Sequence, residues 1–324
     1  MYYKNPKSNR ENPFNKVYNK KEFKNVLNNK EKPAKFPYLI DIELTNVCNL
    51  NCIFCGQQTM KRTKGFLDEK IFKKAINECG KHKTPIRFIR WGEPFLHPKI
   101  FEFINYIKNK GLSLHITTNG LAIKEPQIKN LAKAEVDSLI FSFQGATKKQ
   151  YELMRNNKQY DKLKANILKL VKLRGNKAKP FIHISSTMTN ETEKEIKTFI
   201  KYWGSIVDSV GTGSTNLSKL SNNQIKKFAN IKKFDYLRKQ EKIKKCYRSC
   251  TEVYQKLSLD WDGKVSCCCG DYDNFMTVGD LNKDTFYDIW NKSWKLKNFR
   301  KMLDSSMFKS LTLCSTCFHT YKEF

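Results

Sequence analysis

Three cysteines, Cys48, Cys52 and Cys55, stand together in the segment CNLNCIFC, spaced Cx3C and then Cx2C. Thiolates are the natural ligands of iron–sulfur clusters, and three on so short a loop can hold three corners of an iron–sulfur cube while leaving the fourth iron open. Structural metal sites are closed by protein ligands and catalytic ones keep a position vacant, so the missing fourth ligand is itself a functional sign. The plainer alternative is a zinc site completed from a distance, for which Cys79 and His82 are the nearest candidates. Seven more cysteines lie from residue 246 onward. Cys250 and Cys268 are separated by seventeen residues, and Cys314 and Cys317 form a Cx2C pair; four such thiolates would close a second cluster. Cys246, Cys267 and Cys269 are left over, and the lone Cys79 reads as core packing.

The chain that must position these thiols alternates strand and helix. YLIDIELT (38–45) reads as a strand, and DEKIFKKAINECGKH from Asp68 as an amphipathic helix. IRFIRWGEP (86–94) is a strand, and HPKIFEFINYIKNKG (97–111) a helix that opens on Pro98 and ends at Gly111. SLHITTNG (113–120), a helix near 127–135, SLIFSFQG (138–145) and a helical region to about Gly175 follow. PFIHISSTMT (180–189) is a strand, and ETEKEIKTFIKYWGSI a helix introduced by Asn190 and Glu193 as a capping box. VDSVGTGST (207–215) closes the series.

Six such units predict an α/β fold, a partial (β/α)6 TIM-like barrel, because a full barrel takes eight. The three cysteines follow its first strand on the C-terminal rim, where such barrels carry their chemistry, and GEP, TTNG, FQG and SST end the second to fifth strands on the same rim. The expected organisation is a basic arm over 1–36, the barrel over 37–215, a charged helical connector over 216–245, and a small cysteine-rich α+β domain over 246–324. In the last, DWDGKVSC signals a hairpin turning at Asp262-Gly263.

Composition bounds the setting. Of 324 residues 40% are hydrophobic, in short runs interrupted by charge, so nothing approaches the roughly 18 apolar residues of a membrane span. The first residues lack an apolar signal core, which predicts a cytoplasmic protein whose clustered cysteines bind metal rather than form disulfides. The net charge is +30, yet only 9 of the 61 basic residues are Arg, and the lysines are spread along the chain. Nucleic-acid surfaces cluster Lys and Arg, so the pattern favours a generally solvated surface over a nucleic-acid groove. The field suits a small anionic substrate and an acidic reductant, a flavodoxin or ferredoxin.

Cx3Cx2C after the first strand of such a barrel, with Phe54 before the last cysteine, resembles the radical S-adenosylmethionine (radical SAM) superfamily. The resemblance implies a 4Fe-4S cluster on Cys48, Cys52 and Cys55 whose open iron chelates S-adenosylmethionine. Reductive cleavage then yields a 5'-deoxyadenosyl radical that abstracts a substrate hydrogen. It further implies Phe54 against the adenine, and Gly92, Glu93 and Pro94 of WGEP by the methionine amino group, Trp91 replacing the family's usual first glycine. Thr118 and Asn119 would flank the ribose, with Ser142, Gln144, Arg155 and Ser185 as ribose and carboxylate contacts.

The C-terminal series resembles a shortened SPASM/twitch domain. This implies one auxiliary 4Fe-4S cluster on Cys250, Cys268, Cys314 and Cys317, Cys268 being chosen because it lies five residues after Gly263. The implied activity is two-electron oxidation of a sugar- or cyclitol-like molecule. Epimerisation or dehydration, with Cys246 or Cys269 returning a hydrogen atom, competes with it, as does peptide modification, which the short arm disfavours. A zinc-binding nucleic-acid module is the alternative of another class. No general base declares itself: Arg155, Glu191 and the Tyr202-Trp203 pair are the rim candidates.

Overall fold

Strand β1 (Tyr2–Lys4) is followed by six strands that lie side by side in chain order and in parallel: β2 (Leu39–Ile42), β3 (Ile86–Phe88), β4 (Leu114–Thr118), β5 (Ser138–Gln144), β6 (Phe181–Met188) and β7 (Ser209–Ser214). This is the expected six-stranded partial barrel. The computed structural model describes residues 1–215, 246–247, 250–317 and 321–322; the connector expected over 216–245 lies outside them. Two short strands, β8 (Cys246–Tyr247) and β12 (Tyr321–Lys322), pair with each other. Between them β9 (Lys256–Leu259), β10 (Lys264–Ser266) and β11 (Thr277–Asp280) extend the main sheet, β9 running parallel to β2. The hairpin turns through Gly263, at φ +89°, where the sequence placed it.

The helices cover the sheet because their apolar spacing is helical. After α1 (Asn15–Tyr18) and α2 (Lys21–Lys24), α3 (Glu69–His82) is capped by the Asp68 carboxylate, which accepts from Lys70 N at 2.7 Å. It buries Phe72, Ala75, Ile76 and Cys79, and Phe72 stacks on Phe103 of α4 (Ile100–Asn109) with ring centres 3.8 Å apart. Burying each such ring contributes about 1.5–3 kcal/mol. The order then runs α5 (Glu125–Leu131), α6 (Lys148–Arg155), α7 (Tyr160–Arg174) and α8 (Glu193–Gly204). The start of α8 corrects the sequence reading: its capping box is Thr192 with Glu195, two residues later than Asn190 and Glu193. The Glu191 carboxylate accepts from Thr189 N and Ala146 N, which holds that residue in the preceding loop.

Residues 1–36 are more than an arm. β1 pairs antiparallel with β7, and Phe14, only 1% exposed, meets His115 edge-on at 5.5 Å inside the N-terminal mouth of the barrel. There Asp41, Arg87, His115 and Ser138 occupy one register row across β2 to β5. Arg87 grips Asp41 through two hydrogen bonds of 2.6 and 2.8 Å and donates to the Tyr18 hydroxyl. Burial pushes Asp41 up, but Arg87 and Lys256 outweigh it and hold the acid at about 2. No helix among the described residues is long and apolar enough to cross a membrane.

Candidate functional site

The three-cysteine loop leaves β2 and returns at Phe66, which bridges to Thr45. Its shape is set by residues that the sequence reading passed over. The Asn46 side chain donates to Thr63 O and accepts from Gly65 N, and the Gln57 amide donates to Asn46 O at 2.6 Å and Trp91 O at 3.0 Å. The segment after β3 lies directly on this loop, with Glu93 N donating to Val47 O at 2.9 Å. Only glycine fits at 92, because a Cβ there would stand 1.9 Å from Thr45 O.

Glu93 is the centre of the rim. Its carboxylate is 1% exposed and accepts from Thr118 Oγ1 at 2.7 Å, Asn119 N at 2.7 Å and Phe95 N at 3.1 Å. Burial pushes its acid up to about 7, against the pull of those hydrogen bonds. Pro94 opens the short turn that Glu93 caps. Asn119 turns its amide to the cysteine loop, donating to Asn49 Oδ1 at 2.8 Å and to Cys48 Sγ at 3.7 Å. Arg155, from the end of α6, donates to Cys52 Sγ at 3.4 Å and to the carbonyls of Ser142 and Phe143, and its guanidinium lies 5.4 Å from the Phe54 ring centre. Ser142 and Ser185 stand in adjacent register positions on β5 and β6, beside Gly211.

Most of the residues proposed from sequence are thus brought to one rim. Gln144 is the exception: it is fully buried, its amide donates to Thr187 O and Thr215 Oγ1, and its carbonyl accepts from Thr187. The Tyr202-Trp203 pair is also corrected. Trp203 is buried against Phe143 on the core side of α8, and Tyr202 is 40% exposed with Lys164 over its ring. Glu191 serves the loop clamp already described.

The donors fit a three-thiolate iron site. Burial pushes Cys48 up to about 12 and raises Cys55, so these sulfurs need a cation beside them to become thiolates. Cys48 lies within electrostatic reach of Cys52 and Cys55, and Cys55 of Cys52, and two side chains, Asn119 and Arg155, offer the hydrogen bonds to sulfur that tune such clusters. Cys79 is fully buried in the core and His82 stacks on Phe36 at 4.0 Å, so neither supplies a fourth ligand.

At the C-terminal group, Cys250 lies within electrostatic reach of Cys314 and Cys317, and burial pushes its thiol up to about 12. The Cys267-Cys268-Cys269 triplet divides. Cys267, 1% exposed, faces Cys250 and Cys314 with its sulfur 3.7 Å from Met276 O. Cys268 also senses Cys250, whereas Cys269 is turned to Glu252 and Lys256. For Cys246 only the backbone pairing with Lys322 is described.

The two cysteine regions are tied together by contacts that no local pattern announced. Trp91, in the place of a glycine, donates to Asp271 O at 2.8 Å and meets Tyr272 edge-on at 5.7 Å. Its neighbour Arg90 donates to Cys268 O, Asp271 O and the Asp260 carboxylate. Arg62, just past the cysteine loop, grips Glu43 through two bonds of 2.9 Å and lies 3.4 Å from Asp260. Asp273 receives the backbone N–H groups of Lys61 and Arg62.

Comparison with known proteins follows the same division. The radical SAM superfamily profile matches residues 42–202, and that of the SPASM iron-sulfur cluster-binding domain matches 250–318. A tungsten-containing aldehyde ferredoxin oxidoreductase cofactor-modifying protein of Pyrococcus furiosus is 25% identical over 87% of each chain. BtrN, solved in complex with AdoMet and 2-DOIA, aligns with 87% of this chain and 92% of its own at a TM-score of 0.54 and 18% identity. SuiB of Streptococcus suis bound to S-adenosylmethionine aligns with 90% of this chain and 74% of its own at 0.65 and 16%. At these identities the solved structures speak for the fold alone. The zinc-binding nucleic-acid alternative gives way to these matches, for the chain belongs to the radical S-adenosylmethionine superfamily and carries a SPASM-type iron–sulfur domain.

Proposed function

We propose that this enzyme takes a hydrogen from a small sugar- or cyclitol-like molecule and removes two electrons overall, with one auxiliary 4Fe-4S cluster on Cys250, Cys268, Cys314 and Cys317. The convergence of Glu93, Asn119 and Arg155 on the three-thiol loop supports the S-adenosylmethionine-cleaving part of this reading, and the likeness to BtrN, solved with AdoMet and 2-DOIA, suggests the substrate class. Cys48, Cys52 and Cys55 would hold a 4Fe-4S cluster, which with S-adenosylmethionine bound would supply reductive cleavage and hydrogen abstraction.

The chain's own residues bind, orient and exclude water. Glu93 presents a carboxylate to the methionine amino group, and an ammonium there favours its ionised form. Gly92 and Pro94 shape that turn. Thr118 and Asn119 flank the ribose, Phe54 offers a ring face to the adenine, and Ser142, Ser185 and Arg155 provide polar contacts beside it. Gln144 holds the ends of β5 and β6 together and positions the rim without touching the cofactor. Shielding matters because a primary carbon radical is lost to side reactions in an open site.

A second reading is favoured by the relative matched along 87% of both chains, whose name describes cofactor modification. On that reading the substrate would belong to the cofactor of a partner oxidoreductase. The decisive assay incubates iron-loaded protein anaerobically with reductant, S-adenosylmethionine and ring-deuterated sugars or aminocyclitols. Deuterium in the released 5'-deoxyadenosine, with a product two electrons more oxidised, supports the first reading. Deuterium transfer from a cofactor precursor or peptide, with none from the ring compounds, overturns it.

A further inference from the structure

The helix Trp294–Asp304, the shorter helix Phe286–Lys292, Tyr254 and, from the N-terminal segment, Lys30 and Pro33 line an open pocket of about 430 Å3. Arg300 is built into it. The guanidinium lies 5.0 Å from the Tyr254 ring centre and 4.4 Å from that of Trp290, while Nε donates to Val253 O at 3.0 Å. The residue is 9% exposed, and its buried Nη2 has no hydrogen-bond partner. A buried donor left unmade is destabilising, so Nη2 lacks an acceptor although Nε has one and Asp304 lies within electrostatic reach.

Lys30, Lys297 and Lys301 also line the pocket. Its carboxylate, Asp304, is already engaged, accepting from the Tyr254 hydroxyl at 2.6 Å and pairing with Lys30 at 3.2 Å. Four cationic side chains against one carboxylate leave the lining at +3. The wall is fastened, because Trp290 Nε1 donates to Ala34 O at 2.6 Å and the Asn291 amide to Lys35 O at 3.0 Å.

We propose that this pocket is a second ligand site, one that takes the phosphate or carboxylate group of a small molecule on Arg300 and the surrounding lysines. A guanidinium fork matches two oxygens side by side, and the aromatic faces hold its plane, while the lysines act as mobile point charges. The volume lies within the range of small-molecule sites and exceeds the needs of a bare ion. Arg300 also borders Cys267, so a bound anion would change the charge beside the C-terminal thiols. The site draws on the chain's own side chains and not on the proposed oxidation, so one can fail without the other.

Titration calorimetry on the iron-loaded protein at low ionic strength, with inorganic phosphate and then citrate, tests the site and separates phosphate from carboxylate preference. One saturable site is expected for at least one anion, weakened about tenfold in Lys297→Ala/Lys301→Ala. The control is Lys194→Ala/Lys201→Ala, which removes two charges from exposed positions of α8 and is expected to leave the affinity within about twofold. No saturable binding, or the same loss in both double variants, overturns the proposal, because the net charge of +30 would then be attracting anions without a site.

Discussion

The two thiol regions use one residue type at similar burial, since Cys52 and Cys314 are both buried while Cys48, Cys55, Cys250, Cys268 and Cys317 are all half-buried, and they differ in neighbours. At the three-cysteine loop Cys48 and Cys55 are half-buried, and the sulfurs of Cys48 and Cys52 receive donors from Asn119 and Arg155 at the ends of β4 and α6. At the C-terminal group Cys314 is buried, Cys250, Cys268 and Cys317 are half-buried, and the sulfur of the neighbouring Cys267 approaches the backbone carbonyl of Met276. At the first loop the donors Asn119 and Arg155 come from the rim beside the sulfurs; at the second group, Cys269 is turned to Glu252 and Lys256. The thiol count differs too: three on one loop would leave a cluster iron open, and four would close a cluster.

The difference can be broken from either side. Cys52→Ala should abolish 5'-deoxyadenosine release, whereas Cys250→Ala should retain release and lose oxidised product. Each should drop the iron content from about eight to about four per chain, the load of one 4Fe-4S cluster. Cys52→Ala protein that still released deoxyadenosine would contradict the division of labour.

The tie between the regions is tested next. Arg90, whose side chain is 1% exposed, bridges the Asp260 carboxylate and two C-terminal carbonyls. Arg90→Met leaves Asp260 and Glu43 buried with one cation fewer. A loss of about 3–5 kcal/mol in chemical denaturation is expected, the usual result of removing one partner of a buried ion pair. An unchanged midpoint would mean that the two regions do not depend on this contact.

Per pH unit the smallest effect concerns the N-terminal mouth of the barrel. Burial holds His115 down to about 3 and His183 down to about 4, against an ordinary value near 6.5. Below that value the unfolded chain takes up protons that the folded chain refuses. Stability is therefore full above pH 6.5 and falls as pH is lowered toward 3, by at most about 1.4 kcal/mol per pH unit for each group. His115→Gln should flatten the stability profile between pH 6.5 and 4; a profile as steep as that of the parent chain would refute the assignment.

What was legible from sequence was whatever is encoded locally. The strands, the α3 cap at Asp68, the turn at Gly263 and the spacing of Cys48, Cys52 and Cys55 are all short-range patterns. Even the placement of Trp203 was available, since Phe199, Ile200 and Trp203 repeat at helical spacing and mark the buried face of α8. The bonds from Arg90 and Trp91 to Asp271, some 180 residues away, were not, because a single chain carries no sign of which distant carbonyl a side chain will meet. The partners of Gln144 are hidden for a related reason: its position at a strand end is legible, but Thr187 and Thr215 arrive from later in the chain.

The six parallel strands have two flanks, and β1 and β9 cover them. An open parallel sheet with bare flanks invites other chains to add themselves, which short terminal strands discourage. Here the seal comes late in synthesis. Tyr2–Lys4 finds its partner only once residues 209–211 exist, and β2 waits for residues 256–259. While the chain grows on the ribosome, the half-made sheet is therefore at its most adhesive, and chaperone dependence and inclusion-body formation are the practical signs of that interval.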